Sequence, residues 1–181
     1  MSGHNKWSKI KHKKAASDGA RSKVFSKHST LIAMESRACA GNLASPGLAA
    51  AIERAKKDSM PKDNIDRAVA KGAGTDGVKL EAITYEAYGP GGVAIIITCV
   101  TDNNNRTAPE IRHIFTKAGL ALGSPNSALW AFTKTADGYV PNSPTELNDQ
   151  DGEKLANLIE ALEDNDDVQD VYTTADSEES I

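Results

Sequence analysis

The sequence predicts an α+β protein: an N-terminal basic three-helix module over residues 1–77, followed by a ferredoxin-like α+β sandwich over 78–174. Three observations predict it. Apolar residues recur at helical spacing as far as Gly72 and Gly74, then alternate or run together as strands do after Gly77. Charge divides at the same place: residues 1–71 hold 15 Lys and Arg against 6 acids, and 72–181 hold 6 against 19. A net charge of −4 therefore conceals a basic front and an acidic back. Finally, a chain of 181 residues can bury about 70% of its unfolded surface, enough for one substantial core or two small ones.

The helices come first. Ser17 suits an N-cap, and from there to Gly41 one helix places Ala20, Val24, Leu31 and Ala38 on a common face, with Lys23, Lys27 and Arg37 as a basic flank. Pro46 suits the first position of a second helix with Leu48, Ile52 and Ala55 inward, ended by Pro61. A short third helix turns Ile65, Ala68 and Val69 inward and leaves Lys62, Arg67 and Lys71 outside until Gly72 and Gly74 break it.

The strands follow. From Leu80 to Tyr88, Ile83, Tyr85 and Ala87 alternate with Thr84, Glu86 and Tyr88, a half-buried strand; Val93 to Thr101 is apolar on both faces, a central one. Gly89-Pro90-Gly91-Gly92 between them lacks the Lys-Ser/Thr and following helix of a phosphate loop and reads as a hairpin turn. Asn103 to Thr107 caps a helix carrying Ile111, Ile114, Phe115 and Ala118, with Pro109 expected in its first turn. Ala128 to Lys134 is expected as a third strand of the sheet, 135–145 as a linker, and 175–181 as a disordered tail. Between linker and tail lie a helix with Leu155, Leu158, Ile159 and Leu162 inward and a last strand, Val168 to Thr173.

Catalytic and metal chemistry find little support. His4, His12, His28 and His113 show no ligand spacing with Cys39, Cys99 or each other, and His113 is expected as a structural residue of its helix. No nucleophile motif is present, and Glu163, Asp164, Asp166 and Asp167 read as a solvated acidic turn. The expectation is a protein that is not an enzyme, with no cofactor, metal or small-molecule substrate. Two cysteines in apolar patterns and the lack of any long apolar run suggest a cytoplasmic chain, starting at residue 1 or 2, with no membrane partner.

What stands out is residues 1–27, where eight Lys and Arg face one acid. Trp7 lies among them, able to stack on a base while the cations neutralise phosphates, or to pin the arm to the helices. The candidate nucleic-acid-binding residues are His4, Lys6, Trp7, Lys9, Lys11, His12, Lys13, Lys14, Arg21, Lys23, Lys27, Lys62, Arg67 and Lys71. Duplex DNA, RNA or the ribosome, and an acidic protein docked on the basic face all remain open on this reading; an irregular Lys-rich arm inclines it to RNA.

Gly3-His4-Asn5-Lys6-Trp7, Ile10-Lys11-His12-Lys13-Lys14, Met60-Pro61-Lys62-Asp63-Asn64-Ile65, Thr101-Asp102-Asn103, Asn105-Arg106-Thr107 and Leu158-Ile159-Glu160-Ala161-Leu162-Glu163-Asp164 together resemble the YebC/PmpR family. The resemblance covers nearly the whole chain. It implies a gene-expression factor: bacterial members are described as DNA-binding transcriptional regulators or ribosome-associated translation factors, and a mitochondrial relative as a translational activator. It also implies a short form, because the family carries a further α+β domain between the positions of Trp130 and Leu158.

Overall fold

The computed structural model describes residues 18–74, 79–136 and 138–176. The helical module consists of α1 (Asp18–Ala38), α2 (Pro46–Lys57) and α3 (Lys62–Ala73). Its core is built by Ile32, Leu48, Ala51, Ala55, Met60, Ile65 and Ala68. Glu35 lies against Gly47 at the start of α2, where a carboxylate meets the positive end of the helix.

The buried face of α1 is not the expected one. Val24 is 38% exposed and Ala38 is exposed, whereas His28, Ile32, Ala33 and Ser36 are buried. Two of these are polar, and each has a partner: His28 Nε2 lies 2.6 Å from Asp58 Oδ2, and Ser36 Oγ donates to the Val69 carbonyl at 2.7 Å. A hydrophobicity pattern reads such residues as outward, although a buried polar group with a partner costs little. Gly72 lets α3 close on this face, for a Cβ there would lie 2.2 Å from the Ala33 carbonyl oxygen.

The second part is a three-stranded antiparallel sheet in the order β1 (Glu81–Tyr88), β2 (Ala94–Thr101), β5 (Val168–Thr173). β1 and β2 are joined by the expected glycine turn, with Gly91 and Gly92 at φ 68° and 77°. Helices α4 (Asn104–Lys117) and α5 (Asp149–Glu163) cover one face, burying Ile111, Phe115, Leu155 and Ile159 against Ile95, Ile97 and Cys99. Pro109 falls in the second turn of α4, not the first, because Asn103 caps the helix by accepting from the Asn105 N–H. His113 is exposed on α4 rather than structural.

Two further expectations are corrected. Residues 128–134 do not join the sheet: a 3₁₀ turn, Leu129–Ala131, leads into β3 (Phe132–Thr135), which pairs with β4 (Gly138–Pro141). Phe132 and Ala131 pack on Ala94 and Ile96, so the hairpin lies across the other face of the sheet and much of the anticipated linker is strand. Ala175, placed in the tail, is buried and bridges to Thr145; residues 177–181 lie outside the described residues. Among the described residues no helix is long and apolar enough to cross a membrane.

Candidate nucleic-acid interface

Eight of the sequence-derived site residues, His4, Lys6, Trp7, Lys9, Lys11, His12, Lys13 and Lys14, lie outside the described residues. The other six are split between two surfaces. Lys23 and Lys27, expected to extend the basic face along α1, turn instead to the acidic domain. Lys27 Nζ donates to the Glu163 carbonyl at 2.7 Å, and Lys23 Nζ donates to the Asp164 carbonyl and lies 3.5 Å from its carboxylate. These carbonyls end α5, which has no basic residue in its last turn, so α1 supplies the cations that its negative end lacks. Burial pushes the Lys27 ammonium below its ordinary pKa, against the opposing pull of Glu163.

Arg54 makes a third tie, with Nη2 2.8 Å from both carboxylate oxygens of Asp170. Among the described residues none of the three apolar clusters mixes the helical module with the sheet domain. The ties described between the two parts are thus charged side chains donating to helix-end carbonyls and carboxylates. Nearby, Asp167 accepts from Thr101, Thr107 and Arg106 at 3.1, 2.7 and 2.9 Å. The expected solvated acidic turn therefore ties the end of β2 to the start of α4. Burial opposes the charge of Asp167, yet these donors hold its carboxyl below the usual range.

The remaining cations face outward. Arg21, Lys62, Arg67 and Lys71 are exposed. Arg67 and Lys71 line a groove of about 520 Å³ between α1 and α3, with Arg37 on the opposite wall. Ser22, Ser26, Ser29 and Thr30 bring a row of hydroxyls, and Phe25 an aromatic ring. Arg67 is braced along α3 by donating to the Asp63 carbonyl and to Asn64. Lys62 is not part of the groove: nine residues before Lys71, it projects about 180° away on an ideal helix. Arg21 does not line it either.

Sequence reasoning placed Arg37 on the basic flank but not in the site, and missed the hydroxyls. The signal was faint: Ser22, Ser26, Ser29 and Thr30 recur at three- and four-residue spacing along α1. At the Ser22 end the groove opens into a cleft of about 540 Å³ between the two parts, where Asp102, Asp166 and Asp167 face Lys23 and Arg106. The groove is therefore cationic at one end and mixed in charge at the other. Among the described residues no group of three or more His, Cys, Asp or Glu is arranged to hold a metal ion.

Comparison with known proteins fits both parts. The family model described as TACO1/YebC protein N-terminal domain matches residues 5–75, and that described as TACO1/YebC second and third domain matches 80–137 and 134–175. A relative named probable transcriptional regulatory protein, from Dictyoglomus thermophilum, is 45% identical over 183 residues, covering 100% of this chain and 70% of its own. Another of that name, from Desulfatibacillum aliphaticivorans, is 37% identical over 238 aligned positions, covering 97% of this chain and 96% of its own. The second alignment exceeds the length of this chain, so that relative carries an internal stretch absent here. The two matches to the second model overlap at 134–137, which in sequence runs from the end of β3 to just before β4, and this marks the chain as a short form. The crystal structure of a conserved hypothetical protein from Aquifex aeolicus superposes with a TM-score of 0.77 at 29% identity, over 91% of this chain and 93% of that one. With its helical and sheet parts each matched in order, the chain belongs to the TACO1/YebC family.

Proposed function

We propose that the protein is a non-enzymatic, nucleic-acid-binding gene-expression factor that works in the cytoplasm and contacts nucleic acid through its basic helical end. One observation carries the reading: outward cations gather on the helical module, while Lys23, Lys27 and Arg54 are spent on holding the acidic domain. The basic residues before α1 continue the same end of the chain. Phosphates supply the sequence-independent part of nucleic-acid affinity, and a cluster of Lys and Arg is what they require. Regulatory names among the relatives agree with this class of activity.

RNA, and the ribosome in particular, is the preferred target, because a Lys-rich N-terminal sequence and a hydroxyl-lined groove suit an irregular surface better than base readout from a duplex groove. The names of the relatives favour the second reading, duplex DNA in transcription. Sedimentation of a cell lysate through a sucrose gradient, with the protein followed by antibody, separates the two. Migration with ribosomal particles, lost on RNase treatment or in high salt, is the expected result. Protein remaining at the top of the gradient while chromatin immunoprecipitation recovers discrete DNA sites would give preference to the second.

A further inference from the structure

We infer that the groove between α1 and α3 is a site for an unpaired nucleotide of a single-stranded nucleic acid, with phosphate at the Arg37 and Lys71 end and base towards Phe25. The inference rests on the nucleic-acid reading above and assigns a place and a strand state to it. Its volume of about 520 Å³ falls in the roughly 300–1,000 Å³ range of sites that enclose a small ligand. Its chemistry divides along its length. Gly72 packs on Ala33 and Ser36, so the C-terminal ends of α1 and α3 lie together, and Arg37 and Lys71 line the groove from those ends, with Arg67 one turn earlier on α3.

That end suits a phosphate, since a planar guanidinium offers paired donors to its oxygens and an ammonium offers a point charge. The other end does not suit one. There the groove joins the cleft in which Asp102, Asp166 and Asp167 outnumber Lys23 and Arg106, both already paired with carboxylates, so a second phosphate would meet net like charge. Between the ends lie Phe25, anchored on the module core, and the hydroxyls of Ser26 and Ser29, a ring face and small donor–acceptors of the kind that hold a sugar and a base. Paired bases are stacked inside a duplex and cannot enter, so the groove selects an unpaired strand.

The test measures binding of the full chain to a fluorescein-labelled oligouridylate of about 12 nucleotides, to the deoxy equivalent, and to the same length of duplex. Lys71→Ala and Arg37→Ala should each weaken the single strands about tenfold and flatten the salt dependence by about 0.7 per phosphate lost. Ser29→Phe fills the groove without changing charge and should weaken single strands about tenfold with the salt slope and duplex binding unaltered. Lys154→Ala, on the sheet domain, removes the same charge elsewhere and should change neither. Thermal melting is run on every variant; Lys71 is exposed, so its replacement keeps the test readable if Ser29→Phe unfolds. A ribo-over-deoxy preference of the wild type that folded Ser29→Phe loses would support the groove as the contact site. A wild-type chain that binds single strands while folded Lys71→Ala, Arg37→Ala and Ser29→Phe bind equally well overturns the groove alone. A wild-type chain that binds no nucleic acid overturns the proposed function as well.

Discussion

Gly72→Ala tests the packing that forms the groove. A Cβ at this position would lie 2.2 Å from the Ala33 carbonyl oxygen and 2.7 Å from Ser36 Cβ. Ordinary contacts of this kind begin near 3.4 Å, so the helices must separate by about 1 Å. The nearest atom belongs to the backbone of α1 and cannot swing aside. Overpacking of this type costs about 1–3 kcal/mol. Separation also stretches the 2.7 Å bond from Ser36 Oγ to the Val69 carbonyl, worth about 1 kcal/mol. Alanine returns up to about 1 kcal/mol through its helix propensity, leaving a net loss of roughly 1–3 kcal/mol. At about 2–4 °C per kcal/mol for a chain of this size, the melting temperature followed by circular dichroism should fall by several degrees. Gly74→Ala is the control, because its Cβ would meet nothing closer than 3.6 Å, at the Lys71 carbonyl, and its melting temperature should hold or rise. Equal behaviour of the two variants would refute close contact between α1 and α3.

Glu86 is 7% exposed, and its carboxylate accepts from the N–H groups of Asn126, Ala128 and Leu129 at 2.6, 2.8 and 2.7 Å. Glu86→Gln should cost about 2 kcal/mol in denaturant unfolding, since bonds to a charged acceptor are replaced by weaker neutral ones. Burial opposes the charge of both Glu86 and Asp167, but their donors hold both carboxyls below the usual range. Their stabilisation is complete above the unfolded value near pH 4 and is lost as pH falls through the lower folded values. The melting temperature should therefore drop below about pH 4, and by less in Glu86→Gln. Burial pushes the Cys99 thiol up to about 12, so native protein at pH 8 should be alkylated at half-buried Cys39 long before Cys99, as peptide mass mapping would reveal. Arg54→Ala removes one of the ties between the two parts and should cost about 1 kcal/mol or less, while speeding tryptic cleavage at Lys71 or Lys79. Faster cleavage inside β2 instead would show that the two parts do not separate as units.

Elements with a clean period were legible in the sequence. α2, α3 and α5 lie close to where spacing put them, because each buries enough apolar side chain for its period to show; β2 lies where its unbroken apolar run put it, and α1 lies between its expected limits at Ser17 and Gly41. The errors have local causes. The face of α1 was misread because His28 and Ser36 are buried with partners just beyond α2 and on α3, which hydropathy does not register. β4 is four residues long and follows a turn-rich stretch, so it resembled a linker. Alternation placed Glu86 outward beside Thr84, yet a loop 40 residues later brings three N–H groups to it. Lys23 and Lys27 were read as surface cations because their partners, the last carbonyls of α5, lie more than a hundred residues away. The groove is a relation between two helices, and its Arg37 and hydroxyl wall could not be paired with Arg67 and Lys71 before the helices were packed.

The central claim, that the basic helical end neutralises phosphates, is tested most directly by the salt dependence of binding to single-stranded RNA. Contact with six to eight phosphates predicts a plot of log affinity against log salt with a slope of roughly −4 to −6. Replacing Lys11, Lys13 and Lys14 together by Ala should flatten it by about 2, with no change in sequence preference. A slope near zero for the wild type, or the same steep slope in the triple variant, would contradict the claim that this end of the chain is the contact surface.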